Sequence, residues 1–571
     1  MDTDTTLFLI PARGGSKRLP GKALRSVGGV TLLGRAIAGA RRSAALLGNA
    51  AHTIVSTDDS AIADEARRCG AAVPFLRPSD LATDAAPTIG VIRHALDHFA
   101  KQGVTFREVV LLQPTSPLRR AEDIVRAVRT QRQHPDHSVV TVRAGAGGSP
   151  ATQFVRVDDM LHEASSDGAP VVLNGAVYVF APDWAQRHER LAIPEATRVV
   201  VMPDDRSVDV DHAADLARAQ AIWEEQSPWS RQRCFVIAEA GVNHDGDVDV
   251  ARRLIDAAVA TGADAVKFQT FSADRLASRA AVKADYQQRT TAKEESQREM
   301  LARLALSADD YRTLQAHAAG CGITFLSSAF GIEDVDLLDG IDVPMLKLGS
   351  GELTNHPLLA HAAATLRPVI CSTGAAYLHE VAAAVDVLRA AGCDHLALLH
   401  CVSAYPADAC DLNLRAMATL DRAFGVPVGF SDHTMSIEAA CAAVALGARI
   451  IEKHLTLDRN RVGPDHAASL EPDEFKAMVT ALRNVAAALG DGCKQPRPSE
   501  TSVRTVARKS LVAVRDLPAG AVLRRDDLDV KRPGTGIAPA DLELIVGRRL
   551  ARAVAADALI TWPDLGPRDD A

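Results

Sequence analysis

Residues 428–458 read VGFSDHTMSIEAACAAVALGARIIEKHLTLD. Two short apolar runs pass into polar residues and end on a histidine, VGFSDH at His433 and RIIEKH at His454, with an alanine-rich, helix-like segment between them. Strands joined by a crossover helix run parallel, so both imidazoles leave their strands at the same end. Two neutral imidazoles together with water and substrate oxygens suit a divalent ion such as Mn²⁺ or Zn²⁺. A lone histidine more often hydrogen-bonds a neighbour. The matched pair at adjacent strand ends is what favours an ion.

The same pattern repeats outward. FVIAEAGVNH, AVKFQT, TFLSSAF, MLKLGSGE, PVICSTG, LALLHCVSAYP, VGFSDHT and RIIEKHLT follow one another, separated by helical stretches such as DVARRLIDAAVATGAD. Eight strand–helix units in succession predict a (β/α)8 barrel, whose active site forms at the C-terminal strand ends. Those ends are polar nearly throughout. Lys267 and Gln269 close the second strand, and Lys347, Ser350 and Glu352 the fourth; Ser327, Ser328, Ser372, Thr373, Ser403 and Ser431 add hydroxyls. Lysines with hydroxyls and loop N–H groups can cradle a phosphate or carboxylate. Glu239 and Glu352 are candidate acid/base groups.

The 571 residues exceed what one core serves, and two breaks in the α/β rhythm divide them. EEQSPWSRQRCF and GDGCKQPRPSETS read as linkers, giving parts 1–228, 229–495 and 496–571. A net charge of −8 argues against nucleic acid or an anionic membrane as the main partner. Nine cysteines without a C-x-x-C pair suggest buried free thiols in a reducing compartment. The first apolar run is too short for a signal or membrane segment, so a cytoplasmic protein is expected.

In the first part, LFLIPARGGSKRLPGKAL is a strand entering a glycine-containing loop with Arg13, Lys17, Arg18 and Lys22. Such a loop can wrap a triphosphate, although it lacks the Walker order. Asp209 and Asp211 alternate along an extended segment, so their carboxylates share a side and could hold Mg²⁺.

IAEAGVNHDGD, AVKFQT, LKLGSGELTN, ICSTGA, LLHCVSAYP, GFSDHT, IIEKHLT and GPDHAASL together resemble the sialic acid synthase family, which also includes legionaminic and pseudaminic acid synthases. The resemblance implies condensation of phosphoenolpyruvate with an N-acylhexosamine to a nine-carbon 2-keto acid and phosphate. It implies that His433 and His454 hold a Mn²⁺-type ion and that Glu239 handles the attacking water. Lys267, Gln269, Ser328, Lys347, Ser350, Ser372, Ser403 and Ser431 would bind phosphoenolpyruvate, and Tyr405, Glu352 and Asp465 would face the sugar. Ser328 stands where the family usually has threonine, and Ser403 where some members have asparagine. The tail ARKSLVAVRDLPAGAVLRRDDLDVKRPGTGI resembles the small antifreeze-like (SAF) β-clip domain that ends these synthases. This implies a homodimer in which Arg532 reaches the partner's sugar site.

IPARGGSKRLPGKAL, LRPSDLATD, LLQPTSPLR, NGAVYV and SVDVDHAADL resemble the CMP-sialic acid synthetase family, a Rossmann-like nucleotidyltransferase. That likeness implies transfer from CTP with release of pyrophosphate. Arg13, Ser16, Lys22 and Arg77 would serve the nucleotide, Gln113 and Asn174 the substrate, and Asp209 and Asp211 the Mg²⁺. Two departures stand out: Ala23 follows Lys22 where the family has asparagine, and DGAPVVLNGA lacks the family's arginine-containing run. The expected architecture is thus multidomain α/β: nucleotidyltransferase, TIM barrel and SAF domain. A rival reading makes the first part a degenerate nucleotide-binding or structural module. A second makes the barrel a synthase for the eight-carbon acid KDO, which the SAF-like tail argues against.

Overall fold

A computed structural model describes residues 5–83, 86–145, 153–164, 167–229, 233–292 and 294–567. Residues 230–232 of the first expected linker lie outside these. The chain forms two compact units, Met1–Ala488 and Leu489–Ala571.

The run TLFLIP becomes the buried strand β1 (Thr6–Pro11). After it come the short hairpin β2 (Ser26–Val27) and β3 (Val30–Thr31), then β4 (Ala51–Ser56), β5 (Glu108–Leu112), β6 (Ser138–Ala144), β7 (Gln153–Val157), β8 (Met160–Glu163), β9 (Ala169–Phe180) and β10 (Thr197–Met202). Apart from the hairpin these build one sheet in the order β4-β1-β5-β9-β6-β10-β8-β7. β1 is parallel to β4 and β5, and β10 to β6. The sheet is mixed, because β9 runs antiparallel to both β5 and β6. The chain leaves β1 for β4 on one side and returns to β5 on the other. That reversal opens a crevice at the C-terminal ends of β1 and β5, the usual ligand position in such sheets.

The barrel closes through β11 (Phe235–Gly241), β12 (Ala265–Thr270), β13 (Thr324–Ala329), β14 (Leu346–Leu348), β15 (Val369–Ser372), β16 (Leu396–Cys401), β17 (Val428–Asp432) and β18 (Ile450–His454), each parallel to the next and β18 to β11. Side chains alternate along each strand, so inward positions recur every second residue. The deepest inward residues are apolar: Ile237, Ala265, Leu326, Met345, Ile370, Leu399 and Ile450 form one cluster. Trp229, just after the linker's Pro228, packs into that cluster with 1% of its surface exposed. The linker tryptophan is thus a plug for the barrel floor. Gly429 keeps this layer closed, since a Cβ there would lie 2.4 Å from the Ile450 carbonyl and 2.6 Å from Leu399.

The first part meets the barrel at the end where its strands start. Arg68 pairs with Asp386 at 3.0 Å, Arg42 with Asp394 at 3.4 Å, and Trp223 stacks on His395 with 5.6 Å between ring centres. Arg389 donates to the Phe424 carbonyl at 2.6 Å, beside the close approach of Gly29 to Gly425. All these barrel residues belong to the helix Leu378–Ala390 or to the connections leading into β16 and β17.

The second unit contains the antiparallel pair β19 (Ser510–Ala513) and β20 (Leu528–Lys531) around a small core including Leu511, Leu523, Ile545 and Ile560. Arg532 follows β20 directly and is exposed. All nine cysteines are free. The expectation that they are buried is corrected in part, because Cys321, Cys410 and Cys493 are exposed and Cys69 and Cys441 half-buried. Among the described residues no helix is long and apolar enough to cross a membrane.

Candidate active sites

Two residues above the apolar floor, the barrel interior turns polar on every strand. From Ile237, Ala265, Leu326, Met345, Ile370, Leu399, Gly429 and Ile450 the step leads to Glu239, Lys267, Ser328, Lys347, Ser372, Cys401, Ser431 and Glu452. All eight line a cavity of about 750 Å³. The ring carries two lysines and two glutamates that meet as pairs. Lys267 Nζ lies 2.5 Å from Glu239 and 3.7 Å from Glu452, while Lys347 Nζ lies 3.2 Å from Glu452. Ser431 donates to Glu452 at 2.9 Å and Lys267 donates to Ser328 at 2.9 Å.

The two carboxylates divide the positive charge unequally. Burial works to raise both, but the ammoniums of Lys267 and Lys347 outweigh it at Glu452 and hold that carboxylate down at about 2. At Glu239 burial wins over Lys267, and Glu452 adds repulsion, so its carboxyl lies above the usual range. A raised carboxyl is suited to taking a proton near neutral pH. Burial opposes the Lys347 ammonium, yet Glu452 and Glu239 more than compensate and raise it.

The next layer outward carries Gln269, Ser350, Glu352, Ser403, Tyr405, His433, His454 and Asp465, all on the same cavity wall. The barrel residues that the resemblance places at the site are therefore brought together, but Ser327 and Thr373 are not on this wall: their hydroxyls are taken up by Thr270 at 2.7 Å and by the Leu399 carbonyl at 3.0 Å. Gly241 makes room for them at an irregularity in β11: its φ is +53°, and a Cβ would stand 3.3–3.4 Å from Gln269, Asp465 and Glu239. The rings of His433 and His454 are centred 5.6 Å apart, and Tyr405 packs 4.2 Å from His433. His433 donates its Nδ1–H to the Val402 carbonyl at 2.7 Å, which leaves the lone pair on Nε2. His454 Nδ1 is buried without a hydrogen-bond partner, 3.8 Å from Asp465. Burial lowers both imidazoles, His454 strongly, so both are neutral. Asp465 is pushed up to about 7 by burial and by Glu239. Two neutral imidazoles within reach of one point, one with an unused buried nitrogen, fit a divalent ion.

Glu452, Cys401 and Tyr286 are among the wall residues that were not foreseen. Glu452 was readable in principle, two residues before His454 and two after Ile450. Tyr286 comes from the helix Asp285–Thr290 in the long β12–β13 connection and stacks on Tyr405 at 4.8 Å, a contact that local sequence does not reveal.

The second cavity, about 400 Å³, occupies the crevice of the first sheet. Arg13, Ser16, Lys22, Arg77, Gln113, Asp209 and Asp211 all line it. Lys22 pairs with Asp211 at 2.8 Å and Arg18 with the same carboxylate at 3.1 Å. The hydrogen bond from Lys22 outweighs partial burial and holds Asp211 below the usual range. Asp209 is open to water at its surface but sunk in the crevice. Loss of hydration and Asp211 raise it against a hydrogen bond from Thr115. Val208 and Val210 are buried, so the two aspartates do share the opposite side, as a pair able to take Mg²⁺. Arg77 is anchored on β4, donating to Ser56 Oγ at 3.1 Å.

Asn174 departs from expectation and is not on the cavity wall. Its Oδ1 accepts from Thr141 at 2.8 Å and from the Ala176 N–H at 3.1 Å, and its amide donates to Ser207 at 3.1 Å. It braces β9 against β6. Among the described residues one close trio of mixed donors, Asp256, His317 and Cys321, stands on the helices Val248–Thr261 and Ala308–Cys321, outside both cavities.

A synthase-type barrel with an anion cradle, joined to a nucleotidyltransferase-type sheet, is the class that these two cavities define. Residues 254–494 match the NeuB family, 508–566 the SAF domain and 7–167 a cytidylyltransferase family. The chain is 45% identical over 337 residues to an N,N'-diacetyllegionaminic acid synthase of Legionella pneumophila, covering 58% of this chain and 95% of that one. It is 44% identical over 331 residues to the enzyme of the same name in Campylobacter jejuni, covering 58% and 99%. Among solved structures, an N-acetylneuraminic acid synthetase from Leptospira borgpetersenii is 34% identical with a TM-score of 0.43, covering 48% of this chain and 91% of that one. The chain belongs to the NeuB family, fused at its N-terminal side to a cytidylyltransferase domain.

Proposed function

We propose that the chain makes a nonulosonic acid in its barrel and activates it with CTP in its first domain. The observation that carries this reading is the convergence of His433, His454, Glu239, Lys267 and Lys347 in one cavity. The carboxylate and phosphate of phosphoenolpyruvate need paired cations and hydroxyls, which Lys267, Lys347, Ser328, Ser350, Ser372 and Ser431 offer. Gln269 and Ser403 extend this cradle. The acceptor is an N-acylated hexosamine of the N-acetylmannosamine type, with Tyr405, Glu352 and Asp465 on its side of the cavity. In the reaction C3 of phosphoenolpyruvate bonds to the sugar aldehyde carbon while the aldehyde C=O π bond opens and its oxygen takes up a proton. Water adds at C2, and the bond between C2 and the bridging oxygen breaks, so that this oxygen leaves with phosphate and the 2-keto acid remains. Glu239, with its raised carboxyl, takes the proton from that water. A Mn²⁺-type ion held by His433 and His454 would polarise the aldehyde oxygen.

In the first domain Arg13, Ser16, Lys22 and Arg77 hold the nucleotide phosphates, Gln113 faces the sugar acid, and Asp209 and Asp211 hold Mg²⁺. The anomeric hydroxyl attacks the α-phosphorus of CTP and pyrophosphate leaves. The product of one site is the substrate of the other, which favours joint activity over a degenerate first domain. We place the enzyme in the cytoplasm, where CTP and phosphoenolpyruvate are found. By resemblance it acts as a homodimer in which Arg532 crosses to the partner's sugar.

Two assays on the full chain test the proposal. Mass spectrometry should find a nine-carbon keto acid from phosphoenolpyruvate and one of a panel of N-acylhexosamines. Pyrophosphate should be released from CTP, Mg²⁺ and that acid. No pyrophosphate with any sialic or legionaminic acid would reduce the first domain to a binding module.

A further inference from the structure

We infer that Glu452 is a built-in counter-anion: it holds Lys347, Lys267 and Ser431 in place while the cavity is empty and competes with the substrate's anionic groups for them. The inference rests on the phosphoenolpyruvate reading of the barrel.

Glu452 is 4% exposed at the centre of the polar ring. Its Oε1 accepts from Ser431 at 2.9 Å and from Lys347 at 3.2 Å, and its Oε2 lies 3.7 Å from Lys267. These three donors are ones that the anionic substrate must use, and all line the same cavity. Two ammoniums buried without a carboxylate would repel each other and lose hydration, so the empty site needs such a partner. Glu239 serves only one of them closely, Lys267 at 2.5 Å. Lys347 meets its carboxylate in Glu452.

The same carboxylate has a cost for binding. A phosphate or carboxylate entering the ring approaches a buried negative charge, and in a site of low polarisability that repulsion is large. Glu452 therefore weakens anion affinity, and its consequence falls on product release. Phosphate formed in the ring is displaced from donors that the protein can satisfy itself. Glu452 acts through the lysines and the serine, as a positioning residue. It forms no bond to the reacting carbons.

Glu452→Gln tests this, because the amide keeps the shape and a hydrogen-bonding oxygen but loses the charge. Inorganic phosphate is titrated calorimetrically into the full-length wild type and variant, and KM for phosphoenolpyruvate and kcat are measured alongside. Phosphate should bind roughly tenfold tighter to the variant. KM for phosphoenolpyruvate should fall together with kcat, and phosphate should become a stronger product inhibitor. Weaker or unchanged phosphate binding, or a raised KM, overturns the inference. Should Glu452→Gln fail to fold by circular dichroism, Glu452→Asp carries the test. Its carboxylate, drawn back by one methylene, yields Lys347 and Ser431 more readily, so phosphate affinity should again rise, by a few-fold; a fall overturns the inference. A wild type that makes no keto acid from phosphoenolpyruvate defeats the underlying reading instead, whatever the phosphate titration shows.

Discussion

The barrel cavity and the crevice of the first domain both gather cations and carboxylates, but at opposite depths. The Lys267 and Glu239 side chains are 2% and 3% exposed, whereas Lys22 and Asp211 are 19% and 41% exposed. In the barrel, charges are paired before any ligand arrives and stand on strand ends fixed by a closed sheet. In the crevice they sit on loops at a sheet rim, where water and salt reach them. The first site is thus preorganised in the interior, whereas the pairs of the second are formed but screened by solvent.

The largest expected effect separates the two completely. His433→Ala or His454→Ala should remove keto-acid formation and leave CTP-dependent pyrophosphate release at its wild-type rate. Loss of both activities would mean that the histidines support the fold. The next contrast is energetic. Lys347→Met strands Glu452 in the interior and should destabilise the first unit by about 3–5 kcal/mol in denaturant unfolding. Lys22→Met removes a half-exposed pair and should change stability by less than about 1 kcal/mol while reducing pyrophosphate release. Equal losses of stability would erase the distinction.

Ionic strength sharpens it further. Between about 0.05 and 0.5 M salt, KM for CTP should rise several-fold and KM for phosphoenolpyruvate by less than about twofold, because screening acts on exposed charges. The smallest effect concerns traffic between the sites. The barrel floor is sealed by its apolar layer and Trp229, and the first domain docks at that sealed end. On the proposed function, a keto acid formed in the barrel would leave by the mouth and cross solvent. In a coupled assay with labelled phosphoenolpyruvate, added unlabelled keto acid should dilute label in the CMP-sugar in full proportion. Label retained above the pool value would indicate transfer that bypasses solvent.

The barrel and its cavity were legible because a (β/α)8 barrel turns a one-dimensional pattern into a three-dimensional one. An apolar strand with a polar end always delivers that end to the mouth, so Lys267, Lys347, Ser431, His433 and His454 could be assigned without knowing their contacts. Glu452 escaped because it was read as part of a strand instead of as an inward position. Tyr286 escaped because a long connection brings it over the cavity. In the first domain β9 carries the same apolar alternation whether it runs parallel or antiparallel, so the mixed sheet left no local mark. Asn174 was assigned to the substrate through the resemblance of NGAVYV, yet Thr141 and Ser207 take up its amide, and both partners are distant in sequence.

The most direct measurement is product analysis of the full chain with phosphoenolpyruvate and an N-acylhexosamine, before chelation, after it, and after Mn²⁺ is restored. The account expects a nine-carbon keto acid with an equal amount of phosphate, lost on chelation and recovered with Mn²⁺. Undiminished carbon–carbon bond formation in thoroughly chelated enzyme would contradict it.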